Sequence, residues 1–190
     1  MTQVEILKAF ETEIGLINDS INKPLTEDSV YWLNQAISKF VKLRFNGDLV
    51  HKQGFEQTEK RREDLKRLIK DHTYTSFKYT SNTLYDSYYV EYPNDVLYII
   101  NENAVITDTK GNNPYSTSIF ECTRDNFMYR ITNSLTDFHY SFHKARPIRV
   151  VDANGCSLLT DRNYKVKEYT LGYIRKPKEI NLSIDPTSEY

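Results

Sequence analysis

The residues best suited to bind a metal ion are two histidines, His139 and His143, which stand four positions apart. Histidines at that spacing can meet one metal ion when they lie on a helix. The residues between them, Tyr140, Ser141 and Phe142, are typical of a strand, which would hold the two imidazoles too far apart for chelation. Because zinc takes three or four ligands and spacing supplies no third one, we expect no metal site.

The segment Asp152-Ala153-Asn154-Gly155 resembles the first residues of a calcium-binding loop. In that loop a glycine occupies the sixth position and a bidentate glutamate the twelfth. Here the glycine is fourth and the twelfth residue is Asn163. A β-turn explains the segment better, with Asn154 and Gly155 at the two positions of positive φ in a type I′ hairpin.

Side chains that could perform acid–base or nucleophilic catalysis are present without the partners that this chemistry requires. Spacing places no histidine beside Cys156, and the carboxylates of Glu63 and Asp64 belong to a charged helix. Glycine-rich phosphate loops and the GxSxG and HExxH motifs do not occur in the sequence. We therefore expect no catalytic residue, no cofactor and no enzymatic activity. An enzyme of unrecognised type stays open, since a sequence does not show a pocket.

The balance of charge narrows the classes of partner. The 190 residues include 25 lysines and arginines and 26 aspartates and glutamates, so the chain as a whole is not a general binder of polyanions. Fifteen tyrosines and nine phenylalanines suit extensive protein interfaces, and they suit half-buried strands equally well. We expect the first ten residues not to form a signal peptide, because they contain no basic region followed by an apolar run, and no apolar run is long enough to span a membrane. We expect no membrane partner.

The first third of the chain is predicted to be helical. Apolar residues recur every three or four positions over residues 4–21 and 30–41, and Thr26 is a suitable N-cap for the second run. Phe40 belongs to the second apolar stripe, and Trp32 lies on its flank. A third helix is predicted over residues 55–70. Three helices with short connections should pack as a bundle or as antiparallel hairpins.

The predicted third helix carries a cluster of cations: Lys60, Arg61, Arg62, Lys66 and Arg67. A basic stripe of this kind could bind nucleic acid, with nearby tyrosines as stacking groups. The alternative is a solvated face with ion pairs, because Glu56–Lys60 and Glu63–Arg67 both have the favourable i,i+4 order. We favour the ion-paired face and keep a small nucleic-acid-binding module as the alternative function.

The remainder of the chain is predicted to be rich in strands. Their composition places strands at 77–80, 87–92, 96–107, 119–122, 147–152, 156–160 and 164–175. A short helix over 124–134, capped by Thr123, and extended structure over 140–146 separate them. In the last strand Tyr169, Leu171 and Tyr173 share one face, and Pro177 cannot continue the ladder.

Together these elements predict an α+β fold in which an N-terminal helical bundle or set of hairpins precedes a small antiparallel β-rich part with a short helix. We expect a helical part over residues 1–72 and a β-rich part packed on it over residues 73–182. An extended C-terminal tail is expected over residues 183–190, where the sequence is polar.

Five stretches follow one another in an order that points to a family: VYWLNQAISKFV at 30–41, DLKRLI at 64–69, YPND at 92–95, RDNFMYRITNS at 124–134 and YTLGYIRKPKEI at 169–180. In this order, and above all in the closing Y-x-L-x-Y-I-R-K-P-x-x-I, the chain resembles the head-to-tail connector and tail ring proteins of short-tailed, crAss-like bacteriophages. The resemblance covers most of the chain.

The resemblance implies a structural subunit of the virion, made in the host cytoplasm, that forms a twelve-fold ring. Such a ring would bind the portal protein and the next tail ring protein, and DNA would pass through its lumen without sequence specificity. The candidate interface or DNA-facing residues form two groups. The first is the five cations of the third helix. The second comprises two tyrosines of the last strand and three cations at its end: Tyr169, Tyr173, Arg175, Lys176 and Lys178.

Overall fold

The structure, a computed structural model, describes residues 3–17, 26–46, 59–133, 135–139 and 144–181. It divides the chain into two compact units. The helical unit comprises Met1–Leu68 together with Lys176–Tyr190, and the β unit comprises Ile69–Arg175. The tail predicted over residues 183–190 lies outside the described residues.

Three α-helices are described in the helical unit: α1 (Gln3–Ile17), α2 (Thr26–Asn46) and α3 (Glu59–Leu65). The first turn of α2 contains Glu27 and Asp28, where the helix dipole favours negative charge. Arg44 of α2 and Asp64 of α3 form an ion pair of 3.0 Å between Nε and Oδ2. These helices confirm the predicted helical N-terminal part.

The segment that follows the last strand returns to the helices of its own unit. The side-chain amide of Asn34 donates to the carbonyl oxygen of Ile180 at 3.2 Å and accepts the Ile180 N–H at 2.9 Å. The N–H of Asn181 donates to Oε1 of Gln3 at 3.0 Å. The Ile180 side chain is also buried. These hydrogen bonds therefore give partners to backbone N–H and C=O groups that accompany a buried side chain.

The β unit contains nine strands within the described residues: β1 (Ile69–Tyr74), β2 (Lys78–Ser81), β3 (Asp86–Glu91), β4 (Val96–Asp108), β5 (Tyr115–Ser118), β6 (Phe120–Cys122), β7 (Ile148–Val151), β8 (Gly155–Thr160) and β9 (Tyr164–Arg175). They form a four-stranded sheet of order β1-β9-β4-β5 and a five-stranded sheet of order β2-β3-β8-β7-β6. All pairs are antiparallel except β6 with β7, which is parallel. This arrangement confirms the predicted α+β class.

The predicted third helix was too long. Its α-helical part ends at Leu65, a single 3₁₀ turn covers Lys66–Leu68, and β1 begins at Ile69. β1 pairs with β9 along its whole length. This pairing between distant parts of the chain overrides the local helical pattern of Leu65, Leu68 and Ile69. Residues 55–58 of the prediction lie outside the described residues.

Two strands were missed by the prediction, β1 and β5. Both are edge strands of the four-stranded sheet, and most of their residues are exposed. Edge strands of this kind lack the apolar alternation by which a sequence reveals a half-buried strand. By contrast, the bounds of β9 are those that the alternation predicted.

The main core lies between the two sheets. Its buried side chains come from β3, β4, β8 and β9, and include Tyr88, Ile106, Leu158, Tyr164 and Leu171. Two sheets that bury their inner faces together form a sandwich. A second, smaller cluster on the other side of the five-stranded sheet contains Ile148, Leu159, Ile131 and Phe138.

The short helix of the β unit, α4 (Phe127–Thr132), covers that second cluster through Ile131. The prediction began it at Arg124 with Thr123 as its cap. Asn126 occupies the N-cap position and makes no side-chain capping bond, while the backbone carbonyl of Thr123 accepts from the N–H groups of Asn126 and Phe127. The three residues before the helix therefore form a turn. Ser134 and residues 140–143 lie outside the described residues.

The turn between β7 and β8 differs from the predicted type I′ turn. The N–H of Asp152 donates to the carbonyl of Gly155 at 2.9 Å, so Ala153 and Asn154 are the two turn residues. Neither Asn154 nor Gly155 has a positive φ. Glycine is required for space instead, because a Cβ at Gly155 would collide with the carbonyl oxygen of Val90 on β3.

Candidate assembly surface

A buried pair of opposite charges lies between the two sheets of the β unit. Arg149 of β7 pairs with Glu102 of β4 at 3.1 Å and with Glu121 of β6 at 2.7 Å. The hydroxyl of Tyr169 donates to Oε1 of Glu102 at 2.5 Å, and the Sγ of Cys156 lies 3.9 Å from that hydroxyl. We call Arg149, Glu102, Glu121, Tyr169 and Cys156 the polar network. Each charged member has a charged or hydrogen-bonding partner, as buried charges require.

Burial and the neighbouring charged and hydroxyl groups together set the pKa values in this network. Burial raises the pKa of Glu102, against the lowering effects of the Tyr169 hydroxyl and of Arg149. Burial alone would lower the pKa of Arg149, but Glu102, the Tyr92 hydroxyl and Glu121 together outweigh burial and raise it, so the guanidinium stays charged. Burial also raises the pKa of the Cys156 thiol to about 11. A protonated, fully buried thiol is a poor nucleophile, which removes Cys156 as a catalytic candidate.

Tyr169 and Tyr173 are core residues, and their predicted role as interface or DNA-facing residues is therefore corrected. Tyr169 is fully buried and stacks on Tyr74 with 5.6 Å between ring centroids. Tyr173 is also buried, and its hydroxyl donates to Oδ1 of Asp95 at 3.2 Å. Gly172 and Ile174, which alternate with these tyrosines along the strand, are buried as well, so β9 is covered on both faces.

The five cations of the third helix occupy its short α-helical part and the 3₁₀ turn after it. Lys60, Arg62, Lys66 and Arg67 are exposed and Arg61 is half-buried. Glu63 pairs with Lys66 at 3.3 Å. The predicted partner of Glu63 was Arg67, one position further along the chain. Glu56, the other predicted partner, lies outside the described residues.

The cations at the end of the last strand are distributed over both units. Arg175 is the half-buried last residue of β9 and lies opposite Val96 of β4. Lys176 and Lys178 are exposed and belong to the helical unit.

An exposed apolar stripe runs along α2, which we call the α2 stripe: Trp32, Ala36, Phe40 and Leu43. Trp32 is 61 %, Phe40 44 % and Leu43 58 % exposed. The spacing i, i+4, i+8, i+11 places them on one face. The prediction had assigned Phe40 to the buried stripe. The signal that could have found the second stripe is the recurrence of Trp32, Phe40 and Leu43 in the same register.

A second exposed apolar group lies at the short helix of the β unit, and we call it the α4 patch: Met128, Tyr129 and Leu135. Their side chains are 41 %, 70 % and 81 % exposed. The amide of Asn133 holds this patch in place, because its Oδ1 accepts the N–H of Leu135 at 3.0 Å and its Nδ2 lies 3.5 Å from the Tyr129 hydroxyl. Exposed apolar residues that gather in this way mark contact surfaces.

A cleft of about 440 Å³ opens on the outer face of the five-stranded sheet beside α4. Its aromatic lining includes Tyr85 and Phe127. The polar groups of its wall bind one another, since Asp152 pairs with Arg124 and accepts the Ser157 hydroxyl at 3.0 Å. The carboxylate that would begin the calcium-like segment is therefore already occupied.

In the described part of the chain, no three histidine, cysteine, aspartate or glutamate side chains lie close enough together to hold a metal ion. His139 is half of the predicted pair, and its Nε2 lies 2.5 Å from the carbonyl oxygen of Ile131, which fixes the ring to α4. His143 lies outside the described residues. None of the described helices combines the length and the hydrophobicity that a membrane crossing requires.

Comparison with known proteins extends the resemblance found in the sequence. A comparison with curated proteins gave no match. The model of the crAss-phage ring family, described as phage tail ring protein 3/4, matches residues 1–187. This match covers both units and all the described helices and strands. It confirms the suspected relationship to crAss-like tail ring proteins, and the chain belongs to the phage tail ring protein 3/4 family.

Proposed function

We propose that the chain is a structural subunit of the ring that connects the phage head to the tail. About twelve copies form the ring, which binds the portal protein on one side and the next tail ring on the other. The lumen continues the channel through which DNA leaves the head. The family match over residues 1–187 is the observation that carries this proposal, because it assigns the whole chain to a tail ring family.

The surface of the chain is suited to binding other protein subunits. Large apolar side chains stay exposed in both units, in the α2 stripe and in the α4 patch. Single exposed apolar residues are ordinary, but aromatic and long aliphatic residues that share a face are typical of interfaces. A ring subunit needs such surfaces toward each neighbour in the ring and toward the rings above and below.

The interior of the β unit is suited to bear mechanical load. The polar network links Arg149 of the five-stranded sheet to Glu102 of the four-stranded sheet and leaves neither charge exposed. Breaking such a pair is strongly unfavourable, so it fixes how the two sheets of the sandwich lie on each other. A subunit that transmits force between the head and the tail benefits from that rigidity.

The charge of the chain suits a DNA channel. The formal net charge is −1, so the subunit as a whole is not strongly basic. Affinity for DNA rises steeply with each phosphate that a protein neutralises, and tight phosphate contacts would slow the passage of DNA. A nearly neutral wall lets the duplex pass whatever its sequence.

The nucleic-acid-binding module remains the second candidate because Lys60, Arg62 and Arg67 are exposed. Among the described residues no ion pair neutralises these three cations. This function predicts salt-dependent binding to DNA that weakens when Arg61 and Arg62 become alanine. A ring wall predicts no measurable binding of the isolated chain to DNA even at low salt.

The test of the proposed function mixes the purified chain with the portal protein of the same phage and measures the mass and shape of the product. The portal matters because ring subunits of this kind can stay monomeric until a portal templates their assembly. A ring seated on the portal supports the proposal. A chain that stays monomeric and does not bind the portal contradicts it.

A further inference from the structure

A closed ring requires two different surfaces on each subunit. Contacts that run head to tail around a ring are heterologous, so one surface of each copy meets a different surface of the next copy. A ring subunit must therefore carry two surfaces that fit each other. The helical unit contains a pair of surfaces whose fit the structure shows directly.

The first surface is the segment that follows the last strand, residues 176–181, which we call the arm. It forms no helix or strand. Its Ile180 side chain is only 2 % exposed. The second surface, which we call the cradle, consists of Gln3 of α1 and Asn34 of α2. The side-chain amides of the cradle bind the backbone of the arm at Ile180 and Asn181.

The cradle recognises an extended backbone. The Asn34 amide donates to the Ile180 carbonyl and also accepts the Ile180 N–H, as a residue on a neighbouring antiparallel strand would do. Recognition of this kind resembles the addition of a strand to a sheet, where backbone hydrogen bonds hold the segment and a buried side chain selects it. The partner that fits the cradle is therefore an extended segment with one aliphatic side chain to bury. The arm of every copy of this chain meets that requirement.

A short connection that contains a proline joins the arm to the β unit. Four residues, 176–179, separate Arg175, the last residue of β9, from Ile180. Three of the four are exposed, and Pro177 has no N–H with which to continue the β-ladder. At about 3.5 Å per residue, the chain from Arg175 to Ile180 spans at most about 17 Å. The arm can therefore reach an adjacent cradle and no distant one.

Exchange of the arm between neighbouring copies keeps every contact that the structure shows. In the cradle of the next copy the arm makes the same hydrogen bonds and buries the same isoleucine, so the exchange loses no contact energy. For this reason the swapping of identical segments is a low-cost route to association. In a ring, the exchange turns a contact inside each subunit into a contact between subunits.

From these observations we propose that in the assembled ring the arm of each copy occupies the cradle of the next copy, whereas the free subunit holds its arm in its own cradle. The inference rests on the proposed ring function and names a contact that links neighbouring subunits. The occupant is a second copy of this chain, because the hydrogen bonds of the structure show that this arm fits this cradle.

Chemical cross-linking of the full chain tests which arm each cradle holds. Gln3→Cys places a thiol in the cradle and Asn181→Cys places one in the arm. The two positions are close, because the backbone nitrogen of Asn181 lies 3.0 Å from Oε1 of Gln3. A short bismaleimide joins two such thiols. The natural cysteines, Cys122 and Cys156, are buried, and the natural chain treated with the same reagent is the control for them.

The products are separated on a denaturing gel. The chain with both introduced cysteines should give an internally cross-linked monomer when it is free in solution. Assembled on the portal, it should give a ladder of covalent dimers, trimers and larger products. A mixture of the two single-cysteine chains should give covalent dimers and nothing larger, and each single-cysteine chain assembled alone gives the background. Rings that give no ladder, or a mixture that gives no dimers above that background, overturn the inference.

Two substitutions disable the contact from either side. Ile180→Asp removes the buried aliphatic side chain of the arm, and Asn34→Leu removes the hydrogen bonds of the cradle. Each should lower the yield of rings on the portal by about tenfold or more, because each removes an anchor of the contact. Glu179→Gln is the matched control, since Glu179 is exposed beside Ile180. Variants that are folded by circular dichroism and form rings as well as the natural chain overturn the inference. For a variant that does not fold, the cross-linking result decides.

The natural chain separates failure of the inference from failure of the proposed function. If it forms rings on the portal and the cross-linked rings give no ladder, the inference is overturned and the proposed function stands. If it stays monomeric and does not bind the portal, both are overturned.

Discussion

The guanidinium of Arg149 lies 3.1 Å from the carboxylate of Glu102, although the two residues belong to different sheets of the sandwich. Their side chains are only 4 % and 13 % exposed. The pair crosses a largely apolar core that contains Tyr169 and Leu171. Replacing Arg149 therefore tests how much this buried pair contributes to the stability of the sandwich, and replacing a cation of an exposed ion pair provides the comparison.

Arg149→Met should lower the free energy of unfolding of the β unit by about 3–5 kcal/mol, because it leaves the carboxylate of Glu102 buried without its cation. Lys66→Met is the control, since Lys66 forms an exposed ion pair with Glu63. Its effect should stay within about 1 kcal/mol. Urea unfolding followed by circular dichroism measures both. Equal effects of the two substitutions would contradict the role assigned to the buried pair.

Gly155→Ala should destabilise the β unit by about 2 kcal/mol or more, because the added Cβ collides with the Val90 carbonyl where β8 meets β3. Gly15→Ala provides the opposite control. Gly15 lies in α1 with nothing near the position of an added Cβ, so alanine should stabilise the helix by up to about 1 kcal/mol. Thermal melting compares them. If Gly155→Ala were as stable as the natural chain, the steric account of this glycine would be wrong.

The contrast between these glycines shows what the sequence could and could not reveal. An Asn-Gly pair between two strands correctly predicted a hairpin, because turn chemistry is local. It misplaced the turn, because the need for glycine at residue 155 comes from β3, a strand far away along the chain. The bounds of β9 were predictable from its own alternation, whereas β1 was hidden, since its strand character comes from pairing with β9.

The candidate surface residues also show which properties the sequence can predict and which depend on distant parts of the chain. Basic side chains such as Lys60 and Lys178 could be placed on the surface from their type alone. The burial of Tyr169 and Tyr173 could not be predicted, because it depends on a second sheet that covers β9. For the same reason a periodic pattern predicts that Phe40 lies on a helix, but it does not predict whether other elements cover the Phe40 side chain.

Both cysteines should resist thiol reagents while the chain is folded. Cys122 and Cys156 are buried, and burial raises the pKa of Cys156 to about 11. A disulfide-exchange reagent at pH 8 should therefore label neither thiol in the native chain and both after unfolding in urea. Rapid labelling of Cys156 without denaturant would show that the core around the polar network opens readily.

Tyr88 should make the β unit less stable at alkaline pH. Burial, together with the neighbouring charge of Asp86, raises its pKa from 10.0 to about 12. The folded state then keeps a proton that the unfolded state has lost, so this contribution is complete below pH 10 and disappears as the pH rises to about 12. It amounts to about 2–3 kcal/mol. Tyr88→Phe should remove that part of the pH dependence, measured by unfolding at several pH values. An unchanged slope would contradict the assignment.

The central claim is that the chain forms a ring between the portal and the tail. Electron cryomicroscopy of the particle, or of the chain assembled on its portal, tests this most directly. The proposal predicts a closed ring of about twelve copies around a DNA-wide channel, with the β sandwich of Ile69–Arg175 recognisable in each copy. A particle in which this chain occupies no ring position, or a portal that the purified chain leaves bare, would contradict it.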